Sequence, residues 1–461
     1  MDVSQQLKQL ELNLPVCAPT LPVRRGRSSE TFIASRLSES PTGEVRLLES
    51  ILERGNMQRA LQRVRSNKGA PGIDGMTVDQ LPAYLQRHWP KIREALFAGR
   101  YRPLPVRQKP IPKPESTEFR LLGIPPVLDR LLQQATAQVL TPIWDPTFSD
   151  ASYGFRPERS AQQALLRAQQ FLRDGYRYVV DLDLSKFFDR VNHDRLLSRL
   201  ATRVNDPRVL KLIRSFLTAG MMVDGLVSPT EEGTPQGGPL SPLLSNIVLD
   251  ELDKELERRG LHFVRYADDF VIYVRSKRAG ERVMESVTRF VTRKLRLRVN
   301  ETKSAVGRPW DRKFLGFCFT NSRTNPLVRL HWKTIKRFRQ RVKELTCRTR
   351  GRSLQQVIAE LMRYVRGWWQ YFGLAESVNR LRPLAHWVRR RLRALVWKQW
   401  KNRRTRVQNL LKRGIVRECA VTTGCARKGP WRMSRVLWVT MALPDTHFHS
   451  LGLSFPWIAP A

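Results

Sequence analysis

The stretch Phe263-Val264-Arg265-Tyr266-Ala267-Asp268-Asp269-Phe270-Val271-Ile272-Tyr273-Val274 says most about how this chain folds. Two adjacent carboxylates stand between apolar runs of β-branched and aromatic residues, which predicts a β-hairpin with the acids at its tip. Adjacent like charges are costly in a half-buried strand, and a divalent cation would neutralise both. Such a pair suits magnesium-dependent nucleotidyl transfer, in which ions meet phosphate oxygens. A solvated Asp-Asp turn between ordinary strands is the alternative.

The charge of the chain points to a polyanionic partner. Among 461 residues, 82 are Lys or Arg and 41 are Asp or Glu, which gives a net charge of +41. Nucleic acid and an anionic membrane surface are the candidate partners. No apolar run reaches the roughly 18 residues of a spanning helix. The twelve Trp residues, many of them beside Arg, favour nucleic acid, because rings and guanidinium planes stack on bases.

Punctuation and periodicity divide the chain into segments. Residues 1–44 show little periodicity, and we expect a flexible N-terminal arm. A helix is predicted from Val45 toward Arg65, followed by a Gly- and Pro-rich turn at residues 68–75. Residues 101–127 are basic and rich in proline, which favours extended backbone. A helix is then predicted over Val127–Leu140 and a strand over Tyr176–Leu184.

The pattern changes near residue 320. Before that point, helices predicted over residues 194–217, 240–257 and 282–295 alternate with the hairpin and a short strand at 314–319, which indicates an α/β or α+β body. After about residue 330 the strand signals disappear, and basic amphipathic helices follow, in which Trp387 and Trp397 are expected to be core residues. We therefore expect domains over residues 45–320 and 321–410, and a short extension over 411–461.

A third carboxylate for the hairpin is expected from the strand that ends at Val179-Val180-Asp181-Leu182-Asp183. Two-metal phosphoryl transfer needs an acid from a second strand. Asp183 is the favoured residue, and Asp181 competes because it points to the same face of the strand. With Asp183 as ligand, the ring of Phe188 would press on the sugar of an incoming nucleotide and leave no room for a 2′-hydroxyl. Phe187 is expected to pack in the core.

The order of these segments resembles that of reverse transcriptases, most specifically the bacterial group II intron-encoded enzymes. The family's segments are matched in order by Asp183–Asp189, Gln236–Pro242, Tyr266–Asp269, Asn300–Lys303 and Phe314–Phe317. The resemblance covers about residues 45–450. It implies an α+β, right-hand polymerase of fingers and palm, followed by a helical thumb and a basic maturase or DNA-binding extension.

The resemblance also implies roles for single residues. Asp183, Asp268 and Asp269 resemble the metal-binding triad, which would hold two magnesium ions (manganese as a possible substitute) together with the backbone carbonyl of Leu184. Lys303 resembles the lysine that helps pyrophosphate to leave. The expected substrate-binding residues are Lys113 and Arg120 on the triphosphate, Phe188 at the sugar and Gln236 on the incoming nucleotide.

Two further segments match the family. Residues 152–157, Ser-Tyr-Gly-Phe-Arg-Pro, are expected to support the template strand, with Arg156 in a structural role. Residues 68–75 match the additional N-terminal finger segment of the group II enzymes, which embraces the template–primer duplex.

The C-terminal part resembles the thumb and maturase region of the family. Residues 363–372 and 384–401 carry this resemblance, and the basic run from Arg389 to Arg406 contains no acid. We interpret that run as a phosphate-binding surface. Too few residues follow it for the His-Asn-His endonuclease domain of longer relatives.

The resemblance therefore implies an RNA-directed DNA polymerase that also assists the splicing and mobility of an intron RNA. Its expected partners are an RNA template, a DNA primer, dNTPs, group II intron RNA and target DNA, with no membrane. The expected location is the bacterial cytoplasm, in association with the nucleoid. A domesticated enzyme of DNA repair or phage defence, and an RNA-binding splicing cofactor with a vestigial polymerase site, are the alternatives.

Overall fold

The computed structural model describes residues 46–112, 119–223, 226–228, 233, 237–376 and 381–458. The arm expected over residues 1–44 lies outside the described residues.

Helices and short strands alternate up to about residue 330, and helices follow. The helices are α1 (Leu47–Leu52), α2 (Arg54–Ser66), α3 (Leu81–Phe97), α4 (Val127–Trp144), α5 (Ala161–Arg173), α6 (His193–Ala201), α7 (Pro207–Leu217), α8 (Ser241–Arg258), α9 (Lys277–Arg293), α10 (Trp332–Leu345), α11 (Leu354–Phe372), α12 (Arg382–Gln399), α13 (Arg403–Leu411), α14 (Arg417–Cys425), α15 (Pro430–Met433), α16 (Leu437–Ala442) and α17 (Asp445–Ser450). The strands are β1 (Val106–Pro112), β2 (Phe119–Ile124), β3 (Tyr178–Leu182), β4 (Met221–Val223), β5 (Leu226–Ser228), β6 (His262–Tyr266), β7 (Asp269–Val274), β8 (Ala305–Gly307), β9 (Phe317–Phe319) and β10 (Val328–Leu330). The predicted α+β class is confirmed.

The chain forms two compact units. The first comprises the described residues up to Ser160, together with Val180–Ile272 and Glu281–Ala305. The second comprises Ala161–Val179, Tyr273–Gly280 and the described residues from Val306 onward.

One sheet of the first unit is built from the proline-rich segment, in the order β2-β1-β4-β5. Strands β1 and β2 pair antiparallel, with Arg107 opposite Ile124 and Pro112 opposite Phe119. The extended backbone predicted for this segment is therefore present. Strand β1 also pairs with β4 in parallel, Val106 lying opposite Met221.

Two helices predicted as continuous are interrupted. The helix expected over residues 45–65 breaks at Glu53, whose extended backbone (ψ 139°) separates α1 from α2. The segment 194–217 forms α6 and α7. Pro207 stands at the first position of α7, where proline is favoured, and Asp206 caps this helix by accepting from the Arg208 N–H. Arg208 in turn donates to both oxygens of Glu49, at 2.9 and 2.8 Å, and so fixes α7 beside α1.

The second sheet has the order β6-β7-β3-β8. Its strands are short and apolar, and Val180, Leu182, Val264 and Ile272 are each at most 1% exposed. Burial of these residues on the sheet is the hydrophobic contribution that holds the hairpin and β3 together.

The second unit is a helical body packed around aromatic rings. Phe338 of α10 lies 4.6 Å from the Trp368 ring of α11, and Trp457 lies 5.8 Å from Trp368. Trp397 is fully buried, as predicted, whereas Trp387 is half-buried beneath the guanidinium of Arg391. Within the described residues, β10 is the last strand. No described helix combines the length and hydropathy that crossing a lipid bilayer requires.

Candidate active site

The two acids stand at the tip of a tight hairpin, as predicted. Strand β6 ends at Tyr266 and β7 begins at Asp269, so Ala267 and Asp268 form the turn. Ala267 has a φ of 58°, a left-handed conformation that is costly for a residue with a side chain. Asp268 is half-buried and Asp269 is exposed. The hairpin therefore presents both carboxylates at one end of the sheet.

Asp183, just after β3, lies opposite Asp268, just before the adjacent strand β7. The N–H of Arg177, just before β3, donates to the carbonyl of Val274 at the end of β7, so the two strands run antiparallel. Asp183 follows Arg177 by six residues, and Asp268 precedes Val274 by six. Opposite residues of an antiparallel pair share a face. Asp181, the competing candidate, is level with the buried Phe270, two residues away from the turn.

The backbone around Asp183 is held by the segment before β8. The Asp183 N–H donates to Ser304 Oγ at 3.0 Å, and its carbonyl accepts from the Asn300 N–H at 2.8 Å. The Ser185 N–H donates to the Arg298 carbonyl. These bonds flank Leu184 without using its carbonyl oxygen, the oxygen predicted to bind metal.

Lys303 lies beside the predicted metal ligands. Its Nζ is 3.6 Å from Asp183 Oδ2, and its side chain is 61% exposed. An exposed pair at this distance contributes less than about 1 kcal/mol to stability. The salt bridge to Asp183 is therefore weak, and Lys303 stays a predicted pyrophosphate-binding residue.

The oxygen set suits magnesium. Carboxylates and a backbone carbonyl are hard ligands, and magnesium is commonly bound by one or two carboxylates while water and substrate phosphates fill its octahedron. The described residues contain no group of three or more His, Cys, Asp or Glu side chains that would hold a metal ion unaided. Asp183, Asp268, Asp269 and the Leu184 carbonyl would supply the partial set that such a mode requires.

A buried ion pair lies next to the hairpin turn and hydrogen-bonds to its backbone. Arg265 and Asp253 have fully buried side chains, and Arg265 Nε donates to Asp253 Oδ1 at 2.8 Å. Arg265 Nη1 donates to the Ala267 carbonyl at 3.0 Å and to Asn246 Oδ1 at 2.9 Å. The pair thus holds the carbonyl of the residue just before Asp268.

Sequence reasoning missed this ion pair, although a signal was present. Arg265 interrupts an otherwise apolar strand, and Asp253 lies on the face of α8 that buries Leu249, Leu252 and Leu256. A buried charge demands a partner. Arg265 and Asp253, each a charged residue on an apolar face, could therefore have been predicted to pair.

The absence of a side chain at Gly154 allows the acidic turn to pack against it. A Cβ at this position would lie 2.2 Å from the Ala267 nitrogen and 2.9 Å from the Tyr266 carbonyl carbon, both of them backbone atoms. The Gly154 carbonyl accepts from Asn246 Nδ2, which links it to the same network. The segment 152–157 therefore packs directly against the acidic turn.

Arg156 is structural, as expected. Its guanidinium donates to Asp145 Oδ1 at 2.8 Å and to the carbonyl oxygens of Ser149 and Ser152, and its side chain is 5% exposed. These contacts hold residues 145–157 in one turn.

The two phenylalanines after Asp183 differ as predicted. Both lie in a short 3₁₀ helix, Phe187–Arg190. Phe187 is 3% exposed and belongs to the core, whereas Phe188 is half-buried, with its ring 5.2 Å from that of Phe187. A Cβ added to Gly233, which has a φ of 97°, would lie 2.9 Å from the Phe188 carbonyl oxygen, so this position next to the helix favours glycine.

Three predicted substrate contacts cannot be placed. Lys113 and Gln236 lie outside the described residues, and only the backbone of Arg120, in β2, is described. The glycine after Gln236 lies close to strand β2. A Cβ on Gly237, which has a φ of 134°, would lie 2.3 Å from the Gly123 carbonyl of β2.

Several arginines of α12 make internal contacts that the sequence did not predict. Arg389 and Arg393 both pair with Asp445, at 3.1 and 2.8 Å, with side chains 16% and 11% exposed. Arg390 lies 3.7 Å over the Trp431 ring, and Arg391 donates to Thr346 Oγ1. These arginines tie α12 to residues 431–445 and to the end of α10. The interpretation as an exposed phosphate-binding surface is therefore wrong for Arg389–Arg393. It stays a prediction for the exposed residues of the same run, Lys398, Lys401, Arg403 and Arg404.

Comparison with known proteins identifies the family. A family model described as "Reverse transcriptase (RNA-dependent DNA polymerase)" matches residues 111–319, and one described as "Group II intron, maturase-specific domain" matches residues 335–414. Protein YkfC of Escherichia coli K12 is 35% identical over 318 residues, which are 60% of this chain and 82% of YkfC. The chain belongs to the group II intron reverse transcriptase and maturase family. Its resemblance to that family, inferred from five ordered motifs, is thereby confirmed.

Other relatives cover smaller parts. The group II intron-encoded protein LtrA of Lactococcus lactis is 31% identical over 335 residues, 59% of this chain, and the chain spans 56% of LtrA. A chain of the solved partial Cas6-RT-Cas1--Cas2 complex is 30% identical, covering 54% of this chain and 43% of that one, with a TM-score of 0.36.

Family membership has direct consequences for chemistry. The reverse transcriptase domain assigns RNA-directed DNA polymerase activity, and reverse transcriptases generally use a divalent metal ion. The maturase-specific domain assigns a role in splicing. Together the two domains imply RNA and DNA as partners.

Proposed function

We propose that this reverse transcriptase copies RNA into DNA at the carboxylates of Asp183, Asp268 and Asp269, with two magnesium ions. The observation that carries the proposal is the register that brings Asp183 level with Asp268 at the acidic hairpin. Magnesium bound there would lower the barrier by stabilising charge on the attacking and leaving oxygens. The chain itself contributes rigid placement of the carboxylates and, in Lys303, a cation within reach of the departing pyrophosphate.

Primer extension tests the proposed polymerase. A DNA primer annealed to an RNA template, with dNTPs and magnesium, should be extended by the wild-type protein, and extension should stop when the metal is chelated. The same primer on a DNA template measures template preference. Absence of extension on RNA with a correctly folded protein would contradict the assignment.

The sugar selectivity predicted for Phe188 has a direct test. Phe188→Ala should raise the use of ribonucleotides relative to deoxyribonucleotides by about 10- to 200-fold, because a pocket enlarged by one ring admits the 2′-hydroxyl. Single-nucleotide incorporation with each sugar measures the ratio. Phe187→Leu is the matched control, since its buried ring should affect stability and leave selectivity unchanged. An unaltered ratio in Phe188→Ala would refute the gate.

We further propose that α10 carries an exposed surface for RNA phosphates. Lys336, Arg337, Arg339 and Lys343 are exposed along this helix, and the nearby Glu344 is paired with Arg341. Helix α10 begins just before the maturase-specific match, which starts at residue 335, and its four basic residues lie within that match. The surface thus takes the place of the α12 arginines as the candidate contact with structured intron RNA.

Replacing these four residues by Gln should flatten the salt dependence of RNA binding. Each lost phosphate contact lowers the slope of log K against log salt by about 0.7–0.9, so the slope should fall by roughly 3. A filter-binding series over salt concentrations measures it. The control replaces Arg100, Arg214, Arg258 and Arg289 by Gln, which removes the same number of charges from exposed positions outside α10. Equal slopes in the two variants would rule out a specific role for α10.

The finer assignment as an intron maturase and mobility factor, acting in the cytoplasm near the nucleoid, needs an RNA assay. Splicing of a group II intron RNA at low magnesium should be faster with the protein than without it. Equal rates would favour a domesticated enzyme. Splicing without primer extension would favour the RNA-binding cofactor with a vestigial polymerase site.

A further inference from the structure

A cavity of about 360 Å³ lies in the second unit, between the β9–β10 hairpin and the start of α10. Leu330, Ile335 and Leu381 give it apolar walls, and Trp310 and Trp332 supply aromatic rings. Arg329 and Asp311 add one cation and one anion. Its size suits a single nucleobase with its sugar. None of these residues belongs to the carboxylate site.

Trp332 is the unusual member of this set. Its side chain is 60% exposed, although it is among the largest apolar groups of the chain. The Lys333 ammonium lies 5.6 Å from the ring centroid, and the buried His331 ring lies 5.6 Å away. His331 caps α10 by accepting from the Lys333 N–H, which fixes the backbone that carries the ring. A fixed, exposed indole beside a cation is a surface on which a base can stack.

Arg329 supplies a donor group without a strong internal acceptor. Its guanidinium is half-buried and donates at 3.4 Å to Cys318 Sγ and at 3.5 Å to the Trp310 carbonyl. The contact to the carbonyl oxygen is long, and the contact to sulfur, although of ordinary length for a sulfur, goes to a weak acceptor. Arg308, by comparison, is stacked 3.8 Å from the Tyr178 ring. Arg329 therefore retains donor capacity on the cavity side.

The charges distinguish a base edge from a phosphate. Asp311 lines the same cavity and would repel a phosphate, whereas a base edge carries both acceptors for Arg329 and N–H donors for a carboxylate. We propose that this cavity binds one unstacked nucleotide of single-stranded RNA, with Trp332 against its face and Arg329 and Asp311 at its edge. The site deepens the RNA binding proposed above and requires neither the carboxylates nor metal.

Binding of a short oligonucleotide tests this subsite. The probe is an unstructured RNA 12-mer of A and U, with fluorescence anisotropy measured at fixed salt and without dNTPs or divalent metal. Trp332→Leu and Arg329→Met should each weaken binding by about 5- to 150-fold, the loss typical of one stacked base. Leu437→Ala, which alters an apolar side chain 62% exposed elsewhere, and Arg350→Met, which removes one exposed charge, should change it less than about threefold.

Cross-linking of the wild-type protein gives a second measurement that does not depend on any variant. The same RNA with 5-iodouridine should cross-link to Trp332 or Trp310, as mapped by mass spectrometry. A parallel DNA 12-mer shows whether the sugar matters, because equal binding indicates recognition of the base alone and weaker binding adds the 2′-hydroxyl. Cross-links confined to residues outside 310–335, or losses no larger than in the two controls, would overturn the proposal.

The outcome is separable from that of the polymerase. Asp268→Asn should bind and cross-link the 12-mer like the wild type even though its carboxylate site is altered. If the protein extends primers but fails the binding test, only the proposal of the nucleotide subsite is contradicted. If the protein binds the RNA through Trp332 but extends no primer, only the polymerase proposal is contradicted.

Discussion

Asp268→Asn is expected to lower the rate of primer extension by at least about 10³-fold. The substitution replaces an anionic ligand by a neutral amide of the same shape, and metal stabilisation of the transition state is worth several kcal/mol, of which about 4 kcal/mol corresponds to that factor. Asp183→Asn, on the facing strand, should give a similar loss. Single-turnover incorporation of one dNTP on an RNA template measures both.

The fold and the RNA affinity of these variants should be preserved. Asn keeps the shape of Asp, and the exposed pair of Asp183 with Lys303 is worth less than about 1 kcal/mol, so stability should change by no more than about that amount. Asp174→Asn, an exposed aspartate on the same chain, is the control and should extend primers like the wild type. Extension by Asp268→Asn within tenfold of wild type would place the chemistry elsewhere.

Asp253→Ala is expected to cost about 3–5 kcal/mol of unfolding free energy. The substitution leaves the fully buried guanidinium of Arg265 without its carboxylate partner, and an uncompensated buried charge is strongly destabilising. Because Arg265 also holds the Ala267 carbonyl, the acidic turn should lose its anchor, and extension should fall in the fraction that remains folded. Urea unfolding followed by circular dichroism gives the free energy.

A surface ion pair provides the matched comparison. Glu285→Ala removes the partner of Arg289 at an exposed i,i+4 position and should cost no more than about 0.5 kcal/mol. The double variant Asp253→Leu with Arg265→Met should recover much of the loss, because an apolar pair replaces the buried charges. Equal losses in Asp253→Ala and Glu285→Ala would show that the buried pair is not the support described.

Local patterns predicted what depends on neighbours along the chain. The apolar runs around Asp268 and Asp269 specify strands of period two, and proline excludes helix from residues 101–112. Helix breaks were harder to predict, since Glu53 is not itself a helix-breaking residue although its backbone is extended. Pro207 was visible in the sequence, and the interruption before α7 could have been predicted from it.

Charge was the least predictable property. The arginines from Arg389 to Arg393 read as a solvent-facing run, because no acid lies near them in sequence. Asp445, more than fifty residues later, provides their partner. Composition reports how many charges there are, whereas burial and partners depend on which distant segments meet.

The sequence by itself determined the family and the α+β class and named the candidate acids, because motif order and hydrophobic periodicity are properties of the linear chain. The tertiary structure alone decided that Asp183 rather than Asp181 stands level with Asp268, that Arg265 and Asp253 support the turn, and that Trp332 remains exposed beside a cavity. These features depend on strand register and on the burial of charge, both of which arise only when remote segments pack.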